Sequence, residues 1–142
     1  MAAQLIFDMV QEGSEIPTLV RGPITTRMMF GWSAAAGDFT EIHYDQRHAL
    51  QEGLPDVIIQ GQLKICFLMQ MLVNWIGLNG TLRKISVQSR GMDVPGNILT
   101  CKGTVVRKYI YNKENLVECE IWLENQKGEK SSLGSAVVAL PS

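Results

Sequence analysis

The sequence feature that most constrains the fold is an apolar segment at residues 61–78, GQLKICFLMQMLVNWIGL. Its apolar positions recur at helical spacing and leave few faces polar, and a helix of that kind is buried nearly all round. Gln70 and Asn74 interrupt the segment, which is also shorter than the roughly 20 residues that a bilayer requires. The segment is therefore predicted to be a core helix that the rest of the chain must cover.

The covering layer is predicted to be a β-sheet that follows the helix. Four segments after Gly80 are rich in Val, Ile and Tyr or alternate in polarity, as strands do: Leu82–Gln88, Leu99–Tyr111, Leu116–Leu123 and Ser132–Leu140. Turn-forming residues join them, which predicts an antiparallel sheet. One sheet and one long helix form a single core when the sheet curls around the helix, so the predicted class is α+β.

The first half of the chain carries weaker signals. A short strand is predicted at Leu5–Val10, followed by an extended segment that crosses the surface up to residue 24. A helix is predicted from Thr25 or Thr26 as N-cap to a terminating Gly37, and a short helix at Gln46–Gln51.

Length and composition limit the organisation of the protein and its partners. The 142 residues show no repeat or linker, which predicts a single domain over residues 1–142. Charged residues make up 19% and the net charge is −1, so neither nucleic acid nor an anionic membrane is expected as a partner. The mean hydropathy of +0.05 is slightly high for a small domain and predicts an apolar surface that a partner subunit covers.

The cysteines and the N-terminus bear on location. The three cysteines occupy no metal-binding spacing, so we expect reduced, partly buried thiols and no metal site. The N-terminus lacks the basic region, apolar run and small-residue cleavage site of a secretory signal, and a cytoplasmic protein is expected.

Chemistry is predicted where the chain enters the long helix. Water addition to a polarised double bond needs groups that take and deliver a proton, and Asp38 and His43 meet that need if the turn between them folds back. Gly61, at the start of the helix, would offer a backbone N–H to a developing oxyanion. Each residue also has an ordinary explanation: Asp38 as a turn cap, His43 as a surface histidine and Gly61 as a close-packing glycine.

A family resemblance connects these three residues. The run GDFTEIHYDQRHALQEGLPDVIIQGQL resembles the GDxNPxHxD…HG signature of the MaoC-like, (R)-specific enoyl-CoA hydratases. The segments EGSEIPTLVRGPIT and VPGNILTCKGTVV are similar to the family's N-terminal segment and its PGDxL-containing strand pair. The resemblance implies a hot-dog fold, with the sheet wrapped around the helix at about residues 61–78, and a homodimer or higher oligomer that joins two sheets.

The resemblance also implies roles for individual residues. Asp38 and His43 match the catalytic pair, and Gly61 matches the glycine whose N–H binds the thioester carbonyl. The implied reaction is reversible syn hydration of a trans-2-enoyl-CoA to a (3R)-hydroxyacyl-CoA. Coenzyme A enters as part of the substrate, and no separate cofactor is expected. Gln60 and Gln62, on either side of the glycine, are expected to contact the substrate.

Departures from the signature keep other functions open. Thr40-Glu41 replaces the usual Asn-Pro, Gln60 replaces a histidine, and Gln62 replaces an apolar residue. The chain would then be a non-catalytic or acyl-binding subunit of a heteromeric dehydratase, although the intact Asp38 and His43 count against this. A hot-dog acyl-CoA thioesterase is the other alternative, against which the paired histidine argues.

Residues outside the signature have simpler interpretations. Asp45 is expected to cap a helix, and His48 to lie on the surface of one. Lys64, Arg83, Lys84 and Arg90 could reach the phosphates of coenzyme A, but nothing in the sequence assigns that role to any of them.

Overall fold

The computed structural model describes residues 3–142, and its regular structure consists of five strands and three α-helices. The strands are β1 (Glu15–Arg21), β2 (Thr81–Ser89), β3 (Leu99–Tyr111), β4 (Glu114–Glu124) and β5 (Lys130–Leu140). The helices are α1 (Thr26–Ala36), α2 (Gln46–Gln51) and α3 (Gly61–Ile76). Short 3₁₀ turns lie at Phe7–Met9 and Glu41–His43.

The strands form one antiparallel sheet in the order β1-β3-β4-β5-β2. The four strands predicted after Gly80 are confirmed, with bounds that differ from the prediction by two residues at most. β2 follows α3 along the chain but pairs with β5 at the edge of the sheet, where Ser89 lies opposite Ser132. Residues 90–98 must therefore pass from this edge across to β3, and on the way they contact the start of α3.

The N-terminal strand differs from the prediction. The strand predicted at Leu5–Val10 is wrong, because Phe7–Met9 form a 3₁₀ turn there. The fifth strand is β1, in the segment predicted only as extended, and its buried Ile16 lies opposite Gly103 of β3. A Cβ at residue 103 would come within 2.8 Å of Ile16 Cδ1, so the glycine makes room for β1.

Helix α3 lies against the sheet and contacts all five strands. Its buried side chains are Leu63, Lys64, Phe67, Leu68, Met71, Leu72 and Ile76. The helix predicted at residues 61–78 is confirmed and ends at Ile76, with Gly77 as C-cap. Burial nearly all round is wrong for the single chain, because the sheet covers one side and Val73, on another, is 51% exposed.

The two helices that lead into the site follow the predicted capping. Thr25 is the N-cap of α1, since its side chain accepts a hydrogen bond from Met28 N–H at 3.1 Å, and Gly37 ends the helix with φ 68°. Asp45 caps α2 by accepting from His48 N–H at 3.1 Å, so its predicted role as a cap is confirmed.

The core between α3 and the sheet contains two of the three cysteines. Cys101 and Cys119 are buried, and burial raises the pKa of each thiol to about 12. Cys66 is half-buried on α3, and all three are free thiols, as predicted. Within residues 3–142, no helix combines the length and apolarity that crossing a membrane requires.

Candidate active site

All five residues singled out in the sequence line one cavity of about 320 Å³ at the start of α3. Four parts of the chain contribute to its wall: the loop after α1, the first turns of α3, and the adjoining ends of β2 and β5. The lining residues are Asp38, His43, Gln60, Gly61, Gln62, Ile65, Val87, Ser89 and Ser132. The turn between Asp38 and His43 does fold back, as their proposed chemistry requires.

Asp38 follows Gly37 and is oriented by Thr40. Its Oδ1 accepts hydrogen bonds from the Thr40 hydroxyl at 2.7 Å and from Thr40 N–H at 3.2 Å. The hydroxyl bond is the main reason that the pKa of Asp38 is lowered, with the backbone bond second. Asp38 thus serves as a turn cap through one oxygen, and its Oδ2 makes no hydrogen bond to the part of the chain that is described.

His43 is half-buried at the end of the Glu41–His43 turn, and its ring is fixed by a backbone carbonyl. The Nδ1 atom lies 2.7 Å from the oxygen of Ile58. Because a carbonyl oxygen only accepts, Nδ1 must carry the hydrogen, and in the neutral ring Nε2 is then the acceptor. The imidazole is therefore held in the tautomer that can take a proton from water.

Gly61 is the first residue of α3, where backbone N–H groups have no partner within the helix. The side chain of the preceding residue does not cap the helix. A Cβ at residue 61 would meet nothing nearer than Ser89 Oγ at 4.0 Å, and its φ is not in the left-handed region. The close-packing interpretation of this glycine is therefore wrong.

Gln60 ties the start of α3 to α1. It is 1% exposed, and its Nε2 donates hydrogen bonds to Met29 O at 2.8 Å and Ser33 Oγ at 2.9 Å. Its Oε1 is buried with no partner among residues 3–142. Gln62 is exposed and lies at the rim of the cavity.

Four of the lining residues were missed in the sequence. Ser89 and Ser132 reach the cavity because β2 pairs with β5, and Val87 of β2 and Ile65 of α3 supply apolar wall. Nothing in the sequence shows which strand lies beside β2. Only Ile65 had a usable signal, since it follows Gly61 by about one helical turn.

The basic residues do not gather at the cavity. Lys64 is buried in an ion pair with Asp93, so it is not available to the phosphates of coenzyme A, contrary to that interpretation. Arg83 pairs with Glu114, and Arg90 hydrogen-bonds to Gln88. In residues 3–142, no three His, Cys, Asp or Glu side chains are grouped to hold a metal ion.

The cavity thus presents a carboxylate, an imidazole acceptor and a backbone donor to the same space. A water molecule can be held by the two acceptors, and a carbonyl oxygen can be polarised by the donor. The apolar wall from Ile65 and Val87 suits the hydrocarbon part of a ligand.

Comparison with known proteins identifies the fold. No family model matches the sequence, and no curated protein matches it. The (R)-hydratase PhaJ1 from Pseudomonas aeruginosa, in its unliganded form, has a TM-score of 0.88 at 18% identity, over 98% of this chain and 87% of that one. The (R)-hydratase from A. caviae involved in PHA biosynthesis has a TM-score of 0.83 at 19% identity, over 93% and 98%.

A component of a complex has the same architecture. The ChsH1-ChsH2 complex from Mycobacterium tuberculosis contains a chain with a TM-score of 0.80 at 16% identity, over 93% of this chain and 99% of that one. At these identities the likeness concerns the fold alone. The chain is thus an α+β protein with the hot-dog fold, as predicted.

Proposed function

We propose that this chain is a MaoC-like (R)-specific enoyl-CoA hydratase that catalyses the reversible syn addition of water to trans-2-enoyl-CoA thioesters. The observation that carries the proposal is the convergence of Asp38, His43 and the Gly61 end of α3 on one cavity. The matching fold of two (R)-hydratases supports it. The product of hydration is a (3R)-hydroxyacyl-CoA, and the reverse reaction is a dehydration.

In this mechanism Asp38 Oδ2 and His43 Nε2 hold the attacking water. The water oxygen bonds to C3 of the substrate, the C2=C3 π electrons move toward the thioester, and negative charge develops on the carbonyl oxygen. Gly61 N–H donates to that oxygen, an interaction worth about 3 kcal/mol in comparable oxyanion sites. The proton removed from water passes to the Asp38 and His43 pair and returns to C2 on the same face, which makes the addition syn.

The residues beside this trio have supporting roles in the proposal. Gln60 and Gln62 line the cavity beside the Gly61 donor, and the exposed Gln62 at the rim is the one whose whole side chain can contact the substrate. The apolar side chains of Ile65 and Val87 take the first carbons of the acyl chain. Coenzyme A is present only as the thiol part of the substrate.

A second candidate is a subunit of a heteromeric dehydratase. The ChsH1-ChsH2 neighbour is a complex, and α3 has an uncovered apolar side where Val73 is 51% and the nearby Leu78 is 96% exposed. A partner subunit, identical or different, would cover that side.

The free thiols agree with the cytoplasmic location that we propose.

The test is hydration of crotonyl-CoA and of longer and branched trans-2-enoyl-CoAs, followed by loss of enoyl absorbance. Asp38→Asn and His43→Ala are each expected to lower kcat by at least about 10²-fold. Asp45→Asn and His48→Ala are the matched controls, because they change the same residue types outside the cavity and should retain activity.

Two results would contradict the proposal. One is a folded wild-type protein that hydrates none of these thioesters; the other is full activity in either cavity variant. Release of free thiol from a saturated acyl-CoA would instead support the thioesterase alternative.

A further inference from the structure

Lys64 and Asp93 form a buried ion pair beside the cavity. Lys64 Nζ lies 3.1 Å from Asp93 Oδ2, and the two residues are 1% and 0% exposed. Lys64 Nζ also donates to Gly91 O at 3.2 Å, and Asn97 Nδ2 donates to Asp93 Oδ1 at 3.2 Å. The Ser131 hydroxyl donates to Asp93 Oδ2. Both charges are therefore hydrogen-bonded on several sides.

Stability alone does not account for such a pair. Two charges removed from water lose solvation that their attraction returns only in part, and apolar residues of similar volume are often as stable or more so. The surrounding positions of α3 are apolar, with Leu63, Phe67 and Leu68 also buried. A charged pair in this place calls for a role other than holding the core together.

The geometry indicates such a role for the ion pair, because Asp93 contacts the chain on both sides of Gly61. Its carboxylate pairs with Lys64, in the first turn of α3, and its backbone oxygen accepts a hydrogen bond from Ile59 N–H at 2.8 Å. Ile59 follows Ile58, whose oxygen orients His43. One residue thus contacts the segment that orients the base His43 and carries the oxyanion donor Gly61.

The same residue is tied to the opposite wall of the cavity. Ser131, which donates to Asp93, immediately precedes the cavity residue Ser132. The oxygen of Ser131 accepts from the N–H groups of Arg90 at 2.8 Å and Gly91 at 3.2 Å, directly after Ser89. The ends of β2 and β5 are therefore connected to the start of α3 through Asp93.

We infer that Lys64 and Asp93 are positioning residues for the hydratase reaction: their ion pair fixes the Gly61 N–H relative to Asp38 and His43. This inference rests on the proposed function. Neither side chain lines the cavity, so both act through the backbone that they hold. A donor to a developing oxyanion must be placed within about 0.5 Å, and a displacement of 1 Å can lower the rate about 10²-fold.

The test compares the double variant Lys64→Met with Asp93→Leu against the wild type. Removing both charges avoids leaving one of them buried and unpaired, so the protein should fold. We expect kcat to fall about 10-fold or more with KM within about 2-fold, because the lost alignment matters most in the transition state. The matched control, Arg107→Met with Glu118→Leu, removes a pair on β3 and β4 outside the cavity and should keep kcat.

A second readout does not depend on activity. Hydrogen exchange of the Ile59 amide should accelerate in the double variant, because its acceptor belongs to Asp93. Lys64→Met with Asp93→Asn also removes both charges but keeps the side-chain volume at residue 93, so it should show both effects more weakly and decides the matter if the first double variant does not fold. Unchanged kcat or unchanged Ile59 exchange in a folded variant would overturn the inference. If the wild type hydrates no enoyl-CoA, the proposed function fails while the exchange readout still reports on the positioning.

Discussion

The Thr40 hydroxyl donates a 2.7 Å hydrogen bond to Asp38 Oδ1, and Thr40 N–H donates to the same oxygen. Thr40 stands where the hydratase signature has asparagine, and it still orders the turn between Asp38 and His43. The residue at this departure from the signature therefore orients the Asp38 carboxylate in this chain.

The hydrogen bond from Thr40 determines in part the pH at which Asp38 is protonated. The Thr40 bonds lower the pKa of Asp38, so Thr40→Val, which removes the hydroxyl donor, should raise that pKa toward the ordinary aspartate value of about 3.9. The Asp38 carboxyl should therefore become protonated at higher pH in Thr40→Val than in the wild type. In the wild type the same bond adds stability above the unfolded-state pKa, which is lost as pH falls through the lower folded-state value.

NMR titration of the Asp38 carboxyl carbon measures this pKa directly. Thr40→Ser keeps the hydroxyl and should titrate as the wild type does. A Thr40→Val protein with an unaltered Asp38 titration would refute the assignment.

Two substitutions at Gly61 distinguish the contribution of its N–H group to catalysis from that of the space left by the absent side chain. Gln60 has φ −58° and ψ 132°, a conformation suited to the residue before proline, and proline is well tolerated at the first helical position. Gly61→Pro should therefore fold but lose the donor, and kcat should fall about 10²- to 10³-fold. Gly61→Ala keeps the N–H and should fold, because the new Cβ would lie 4.0 Å from Ser89 Oγ.

Steady-state kinetics together with thermal unfolding distinguish these effects. The alanine variant is the control, and it should retain more activity than the proline variant. Equal losses in the two proteins would show that the space, rather than the hydrogen bond, is what the reaction needs.

The thiols are expected to differ sharply in reactivity. Burial raises the pKa of Cys101 and Cys119 to about 12, so at pH 8 only about one molecule in ten thousand carries either thiolate. Iodoacetamide should modify the half-buried Cys66 first in the native protein, and all three cysteines after unfolding. Peptide mass spectrometry gives the order, and early labelling of Cys101 would contradict the burial described for β3.

Gly134 is expected to be indispensable to the pairing of β2 with β5. A Cβ there would lie 2.1 Å from Ser86 O, far inside contact distance, so Gly134→Ala must displace one strand. The expected loss in the free energy of unfolding is about 1–3 kcal/mol, measured by urea denaturation. Activity should fall as well, since β2 carries Val87 and Ser89 of the cavity wall.

Gly31→Ala is the corresponding control in α1. A Cβ at residue 31 would meet nothing within 4 Å, and alanine favours a helix interior over glycine by roughly 0.5–1 kcal/mol. This variant should be more stable than the wild type. If Gly134→Ala and Gly31→Ala lowered the free energy of unfolding equally, crowding between β2 and β5 would not be the cause of the loss in Gly134→Ala.

Local patterns were sufficient to predict most helices and strands. α2 and β3 have the predicted bounds, because a cap or turn residue marks each end within the segment itself. β1 was missed because EIPTLVR contains a proline and mixed polarity, and its pairing depends on the space that Gly103 leaves far along the chain. The 3₁₀ turn at Phe7–Met9 is held from outside, since Phe7 N–H donates to Pro141 O at 2.9 Å.

The site was predictable only in part for the same reason. Asp38, His43 and Gly61 lie within one recognisable stretch, and the structure does bring them to one cavity. Ser89 and Ser132 lie opposite each other because β2 pairs with β5, and Lys64 pairs with Asp93, which lies on the loop after β2. Contacts between distant segments leave no local pattern, so the sequence alone does not distinguish the buried, paired Lys64 from a lysine that could reach the phosphates of coenzyme A.

The position of Ile58 has a mechanical consequence for the site. Its oxygen holds His43 Nδ1 at 2.7 Å and its N–H donates to Ile42 O at 3.0 Å, while three residues further on the same backbone becomes Gly61. The imidazole and the helix terminus are thereby both connected to the backbone at Ile58. A substitution that alters this backbone would therefore affect the base and the donor together, whereas Asp38 is connected to α1, because its N–H donates to Ser33 O at 3.1 Å.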